Sequence, residues 1–543
     1  MMVIERRHRI CCLSAAMLKF PLPVAAIFSA ALAALPLRGD EPKHDPPKPE
    51  EKKDAGEKKD DKKDDKKDDK KDDKAKEQKP KDSKGSVTIA GTEITYAAKT
   101  GTLPLLKEDG ATRADVFFVY YARTGEDGKA LAIADSSRPI IFCFNGGPGS
   151  SAVWLHLGGL GPKKIALPPD GRTPEVLGKI SDNPLSVLDV ADLVFIDPVG
   201  TGASRPAKGE KGEQFWGVDE DVEACGEFIR LFATREQRWQ SPKFLCGESY
   251  GGIRAAGLAN FLQEKHGMYL NGVIIVSGLL NFQTLGPDTA NDLPFLCSLP
   301  TLTASAAFHG KLAPELSANL EKTLAEVRAF AFGDYASALL KGRTLTAEDR
   351  RRIAEKLARF TALPLQIIED NDLRISPSTF RKALLKKEGK IIGRFDARVV
   401  AEDGDPSDPR PEFDPSFSFI VGPFSAAANA YMRGVLGYEN DQPYRILTGL
   451  PWNYARFANR YASLESRLGE AMKNNPRLRV LVCQGLRDLA VPPDAMTYSL
   501  NHLPIPDSLR ANITIKSYDS GHMMYLLDKD AAKLRADIVG WLK

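Results

Sequence analysis

Cysteine and histidine are scarce in this chain, seven of each in 543 residues, and no cysteines stand in a C-x-x-C pair. That spacing serves zinc and thioredoxin-type redox sites, so neither is expected, and no metal or other cofactor is called for. Charge of one sign is lacking too. Lys and Arg number 75 against 72 Asp and Glu, a net +3 that points to no nucleic-acid partner and no anionic lipid surface. Beyond Leu37 there is no long apolar run, so no transmembrane helix is expected in the mature form. What remains, 43% hydrophobic and 27% charged, is the composition of an ordinary soluble globular protein, and the length suits one large α/β core with insertions.

The N-terminal 39 residues read as a secretory signal peptide. Lys19 precedes an apolar stretch from Phe20 to about Leu37, with an Ala31-Leu32-Ala33 cleavage-like site. Met17 starts this pattern more naturally than Met1, and Pro21 and Pro23 favour cleavage over an uncleaved anchor. Export to the periplasm, cell envelope or exterior is therefore expected. Residues 40–85 are a Lys/Asp-rich linker containing "KKDDKKDDKKDDKKDDK". With nothing apolar to bury, this segment cannot offset its ordering entropy and is expected to stay disordered as a solvated spacer. Cys11 and Cys12 belong to the leader, leaving Cys143, Cys225, Cys246, Cys297 and Cys483. Cys143, Cys246 and Cys483 sit in apolar strand-like runs and read as buried thiols; Cys225 and Cys297 are free to pair.

From residue 86 the chain turns to β structure, in "SVTIAGTEITYAA" and "ADVFFVYYAR". Short continuous apolar runs then end repeatedly at glycine-containing loops: "RPIIFCFNGG", "ADLVFIDPVGTG", "KFLCGESYGG", "LNGVIIVSGLL" and "LRVLVCQGLRD". Between them lie helical stretches such as "EDVEACGEFIRLFATRE" and "IRAAGLANFLQEK". Buried strands alternating with helices predict an α/β fold, a mostly parallel sheet flanked by helices, with ligands at the carboxyl ends of the strands. The core is expected over 86–292 and 417–543. Residues 293–416 read as a helical cap inserted between sheet strands, its strand-like runs having stopped.

"CGESYGG" carries G-x-S-x-G between a strand and a helix, the pattern of a nucleophile elbow at Ser249. A serine hydroxyl needs a base, and the base an orienting acid, in the chain order Ser, acid, His on this fold. Of the histidines after Ser249, His266 ends a helix, His309 falls in the cap and His502 lies on a helix or turn. His522 follows the last strand-like run, in "YDSGH", and is the base candidate. Asp488 stands in the loop after "RVLVCQG" and is the acid candidate, with Asp494 a rival better placed to cap the next helix. The loop "FNGGPGSS" offers the amide of Gly147, and the elbow that of Tyr250, as the expected oxyanion hole, and Asn145 on the loop offers a side-chain amide to substrate.

Together "NGGPGSS", "VFIDPVGTGASR", "CGESYGG", "QGLRDLAVP" and "SGHMMY" resemble the serine carboxypeptidases, α/β-hydrolases that release the C-terminal residue of peptides. The resemblance spans most of residues 86–543 and is loose in the cap. It implies a Ser249–Asp488–His522 triad, an oxyanion hole at Gly147 and Tyr250, and substrate-carboxylate binding by Asn145 and Glu248. Peptides with a free C-terminal carboxylate are the substrates it implies. There are two departures from the family pattern. Ser150 stands where members commonly have a cysteine bridged to the cap side, and Gly159 stands where many have an acidic residue.

An ionised Glu248 would repel a terminal carboxylate, whereas a protonated one can donate to it, so mildly acidic pH should favour peptide binding. The bland alternative is a glutamate that only hydrogen-bonds the elbow backbone. The same scaffold also suits an acyltransferase or a general carboxylesterase, and an inactive hydrolase fold used for binding is the alternative from another class.

Overall fold

The computed structural model describes residues 80–173 and 177–543. The leader, the "KKDD" repeats and the rest of the chain up to residue 79 lie outside the described residues. The main sheet has ten strands. Its named members are β1 (Lys81–Ile89), β2 (Thr92–Leu106), β3 (Thr112–Arg123), β4 (Ile140–Phe144), β5 (Asp192–Ile196), β6 (Lys243–Glu248), β7 (Gly272–Val276), β8 (Arg479–Gly485) and β9 (Ile513–Tyr518). They lie in the order β1-β2-β3-β5-β4-β6-β7-β8-β9, with the two-residue strand Arg205–Pro206 against β3. β1 to β3 form an antiparallel ribbon that joins β5 antiparallel. From β5 to β9 every pairing is parallel. This mostly parallel sheet, covered by helices, is the α/β-hydrolase fold.

The sequence explains the layering. β4, "IIFCF", is buried at every position because helices cover both faces of a central parallel strand. Ile140, Phe142 and Phe144 face one cluster, shared with the helices α1 (Val218–Arg235) and α2 (Gly251–His266). Ile141 and Cys143 face the other, shared with Phe424 and Ala428 of α3 (Pro415–Gly434) and Leu534 and Ile538 of α4 (Asp528–Leu542). Each fully buried phenylalanine contributes roughly 1.5–3 kcal/mol. β9 closes the sheet as an edge strand, with Ile515 exposed and Lys516 available to discourage further pairing.

Two expectations are corrected. β1 begins at Lys81, inside the linker expected to stay disordered to residue 85, because residues 81–85 pair with Tyr96–Thr100 and satisfy their backbone there. The segment between β7 and β8 is helical over Leu293–Phe308, Leu320–Phe330 and Ala347–Thr361, yet it also holds a two-stranded hairpin, Lys390–Ile392 with Val400–Glu402. After residue 417 the chain does not return at once to the sheet. It completes α3 and then runs as a largely irregular strap before β8. All five cysteines of the described residues are free and buried, Cys225 and Cys297 included. Among the described residues no helix is long and apolar enough to cross a membrane, and no group of three His, Cys, Asp or Glu could hold a metal ion.

Candidate active site

β6 ends at Glu248, and the chain turns through Ser249 and Tyr250 into α2. Ser249 has φ +62°, a conformation that costs energy for a residue with a β-carbon and marks a tight strand-to-helix turn. Its amide donates to Val276 O of the neighbouring strand at 3.1 Å. Two glycines make the turn possible. A β-carbon on Gly247 would lie 2.2 Å from Gly251 O, and one on Gly146 would lie 2.4 Å from the Tyr250 nitrogen. The second distance means that the loop after β4 passes directly against the Tyr250 amide. Gly147, one residue on, has φ +100° and precedes a cis proline. The two amides expected to face an oxyanion thus belong to chain segments in van der Waals contact.

The acid and base candidates come from the next parallel strands. Asp488 follows β8 and His522 follows β9, both buried, with Asp488 Oδ2 2.6 Å from His522 Nδ1. The other carboxylate oxygen accepts the backbone N–H groups of Ala490 and Val491 at 2.8 and 2.9 Å. Burial pulls the His522 pKa down, but the Asp488 charge and hydrogen bond, aided by Glu248, outweigh it and raise the pKa. The three rival histidines are engaged elsewhere: His266 with Glu227, His309 with Ala397 O and His502 with Tyr498 O. Asp494 sits in the first turn of Pro493–Asn501 and pairs with Arg328 at 2.7 Å.

Glu248 is buried beside the elbow. Desolvation pushes its pKa up to about 7, against the opposing pull of His522 and the hydrogen bonds of Tyr525 and Asn145. The Tyr525 hydroxyl donates to Glu248 Oε2 at 2.7 Å. The Asn145 side-chain oxygen accepts Leu155 N–H at 3.1 Å, which turns its NH₂ group away from that amide.

Several contributors were not singled out from sequence. Arg254, fully buried, donates to both Asp221 oxygens, at 2.7 and 3.1 Å, and to Asn145 O at 2.5 Å. Its guanidinium lies over the rings of Phe144 and Tyr250, so one side chain ties the glycine loop to the elbow helix. A lone arginine amid the small residues of "IRAAGLANFL" was the available signal. Residues 394–397, between the strands of the cap hairpin, fasten the acid and base loops together. Leu489 N–H donates to Arg394 O, His522 N–H to Phe395 O, and Ala397 N–H to Arg487 O. The Phe395 ring also packs on the His522 ring at 5.1 Å. A shallow recess lined by Leu167, Arg172, Phe395, Ile420, Met523 and Leu526 opens beside these residues.

Hydrogen bonds to the strap fasten the glycine loop. Ser151 N–H donates to Ile446 O at 2.9 Å, Thr448 N–H to Gly149 O at 3.0 Å, and Ser150 Oγ to Ile446 O at 3.3 Å. Trp154 Nε1 donates to Ser150 Oγ at 2.9 Å, so the serine is doubly used. Farther along the strap, Trp452 meets the Tyr250 ring edge-on at 5.4 Å.

A family model described as serine carboxypeptidase matches residues 105–327. The lysosomal protective protein of Mus musculus is 30% identical over 149 residues, 27% of this chain and 29% of that protein. Serine carboxypeptidase-like 36 of Arabidopsis thaliana is 25% identical over 212 residues, 37% of this chain and 39% of that protein. The chain thus spans well under half the length of these curated relatives. Among solved structures, Kex1(delta)p, a prohormone-processing carboxypeptidase from Saccharomyces cerevisiae, superposes with a TM-score of 0.46 at 17% identity, covering 82% of this chain and 91% of that one. The matched range takes in the glycine loop, the elbow and Gly159, and stops short of Asp488 and His522. What "NGGPGSS" and "CGESYGG" suggest as separate strings, the serine carboxypeptidase family model matches as one continuous stretch, and over residues 105–327 the chain is similar to that family.

Proposed function

We propose that this protein is a serine-type carboxypeptidase that releases C-terminal residues from peptides through an acyl-enzyme on Ser249. The observation that carries this reading is the buried Glu248 next to Ser249, its carboxyl held near neutrality where a substrate's terminal carboxylate would dock. At mildly acidic pH Glu248 carries a proton and donates it in a hydrogen bond to that carboxylate. Asn145 NH₂ serves as a second donor.

Ser249 Oγ attacks the last peptide carbonyl while His522 takes its proton, and Asp488 orients and stabilises the resulting imidazolium without taking the proton. The amides of Gly147 and Tyr250 receive the negative oxygen. His522 then protonates the departing amine, the C-terminal residue leaves as a free amino acid, and water releases the shortened peptide by the same steps in reverse order. The leader pattern supports export, with the Lys/Asp-rich segment as a spacer. The helices of residues 293–416 have a hydrophobic cluster of their own, including Leu299, Val327 and Phe380, which supports a cap inserted between sheet strands.

The deciding experiment compares one peptide as free acid, C-terminal amide and ester from about pH 4 to about pH 8. Stepwise release from the free acid alone is expected. Ester turnover without peptide cleavage would move the assignment to an esterase or acyltransferase.

A further inference from the structure

Tyr525 lies three residues beyond His522, and its ring is seated on the turn at Gly158-Gly159. A β-carbon at Gly158 would lie 2.7 Å from that ring, and one at Gly159 would lie 3.3 Å from it. Phe424 closes the space from the side of α3, 3.1 Å from the same Gly158 position. The ring is therefore gripped, and the residue is buried, so its hydroxyl is turned from bulk solvent. It donates instead to Glu248 Oε2 at 2.7 Å.

We propose that Tyr525 is a positioning residue that decides which oxygen of Glu248 carries the proton offered to the substrate carboxylate. A phenol has one proton, and here it is given to Oε2. An oxygen already accepting that bond is the poorer place for a second hydrogen, so Glu248 is protonated on Oε1. Asn145 supports the arrangement, since Leu155 occupies its oxygen and its NH₂ group turns to the Tyr525–Glu248 pair. The site thereby does without an acid at position 159. A neutral phenol supplies the hydrogen bond and adds no like charge beside Glu248 or the incoming carboxylate. This inference rests on the reading of Glu248 as the carboxylate-binding residue.

The charged and titratable groups acting on Glu248 are few. His522 from the loop after β9 and the Tyr525 hydroxyl favour its ionised form, and Asp488 from the loop after β8 disfavours it. Cys246, on the same strand, is a buried thiol. Removing only the Tyr525 hydroxyl takes away a donor that favours the carboxylate, so Glu248 should keep its proton to higher pH.

The test is Tyr525→Phe in the full chain, with a free-acid peptide and its C-terminal amide followed across pH. For the free acid, the decline in kcat/KM at rising pH should move up by about half a unit to one unit. KM should rise about threefold to tenfold at acidic pH, with kcat changed less, as the donor loses its fixed orientation. An unmoved decline with an unchanged acid-to-amide preference would overturn the inference. A shift shared equally by the amide would also overturn it, because it would then belong to His522. Glu248→Gln is measured in parallel. If that variant keeps both the decline and the preference for the free acid, the carboxylate-site reading itself fails. If it loses them while Tyr525→Phe behaves as the parent, only the role of Tyr525 fails. Stoichiometric labelling of Ser249 by a fluorophosphonate verifies an intact elbow in each variant.

Discussion

Asp488 Oδ2 and His522 Nδ1 lie 2.6 Å apart at the ends of two neighbouring parallel strands, and cap residues 394–397 bind both loops through their backbone. The acid is held from two directions, by the imidazole and by the amides of Ala490 and Val491. Asp488→Asn keeps the size of the side chain and removes its charge. It should lower kcat about 10⁴-fold, and Ser249→Ala should do at least as much. Steady-state kinetics on an activated ester, with mass spectrometry locating a fluorophosphonate adduct, checks both. An adduct on any residue other than Ser249 would refute the assignment.

The pH profile should separate two groups. With His522 as the proposed base, which must be neutral to act, activity should rise with pH on every substrate. With Glu248 as the proposed carboxylate donor, protonated below its pKa of about 7, free-acid peptide turnover should fall again at higher pH. The free-acid optimum should therefore lie below that of the amide or ester. Coincident profiles would exclude Glu248 from carboxylate binding.

The same carboxyl predicts a stability effect. Between the usual carboxylate range and about pH 7, native Glu248 retains a proton that the unfolded chain has released. Stability therefore falls as pH rises through that window, by up to about 3 kcal/mol. Glu248→Gln removes the titration, so it should raise the melting temperature at alkaline pH more than at acidic pH. Equal changes at both would argue against the raised pKa.

Arg254 and Asp221 form a buried pair linking α1, α2 and the glycine loop. Arg254→Met should cost about 3–5 kcal/mol in urea unfolding, because it leaves the Asp221 carboxylate buried without its partner. Adding Asp221→Leu should recover most of that loss. If the double variant is as unstable as the single one, the pair is not the source of the effect.

Gly146→Ala places a methyl group on the Tyr250 amide and forces the glycine loop off the elbow. The expected result is a drop in kcat of about 10²–10³-fold with a smaller change in KM. An unchanged kcat would mean that these amides do not face the reacting oxygen.

Much of this site was legible in the chain because its logic is local. Ser249 is announced by a strand, two glycines and a helix within a dozen residues. Asp488 and His522 each stand in the first loop after a strand-like run, where a parallel sheet collects functional groups. The cap hairpin and the strap were not legible. Their segments are short or irregular, and they are held by backbone bonds to loops far away in the chain, as in Thr448 to Gly149 and His522 to Phe395.

Sequence alone therefore determined the sheet, the strand-to-helix turn at Ser249 and the glycines that this turn requires, since each follows from the chemistry of neighbouring residues. Tertiary structure alone decided who stands beside Glu248. Tyr525 and Glu248 are 277 positions apart, and only the placement of β9 and its loop beyond β8 brings the phenol over Gly159. Burial then does what no side chain does by itself: it removes the water that would have kept Glu248 charged.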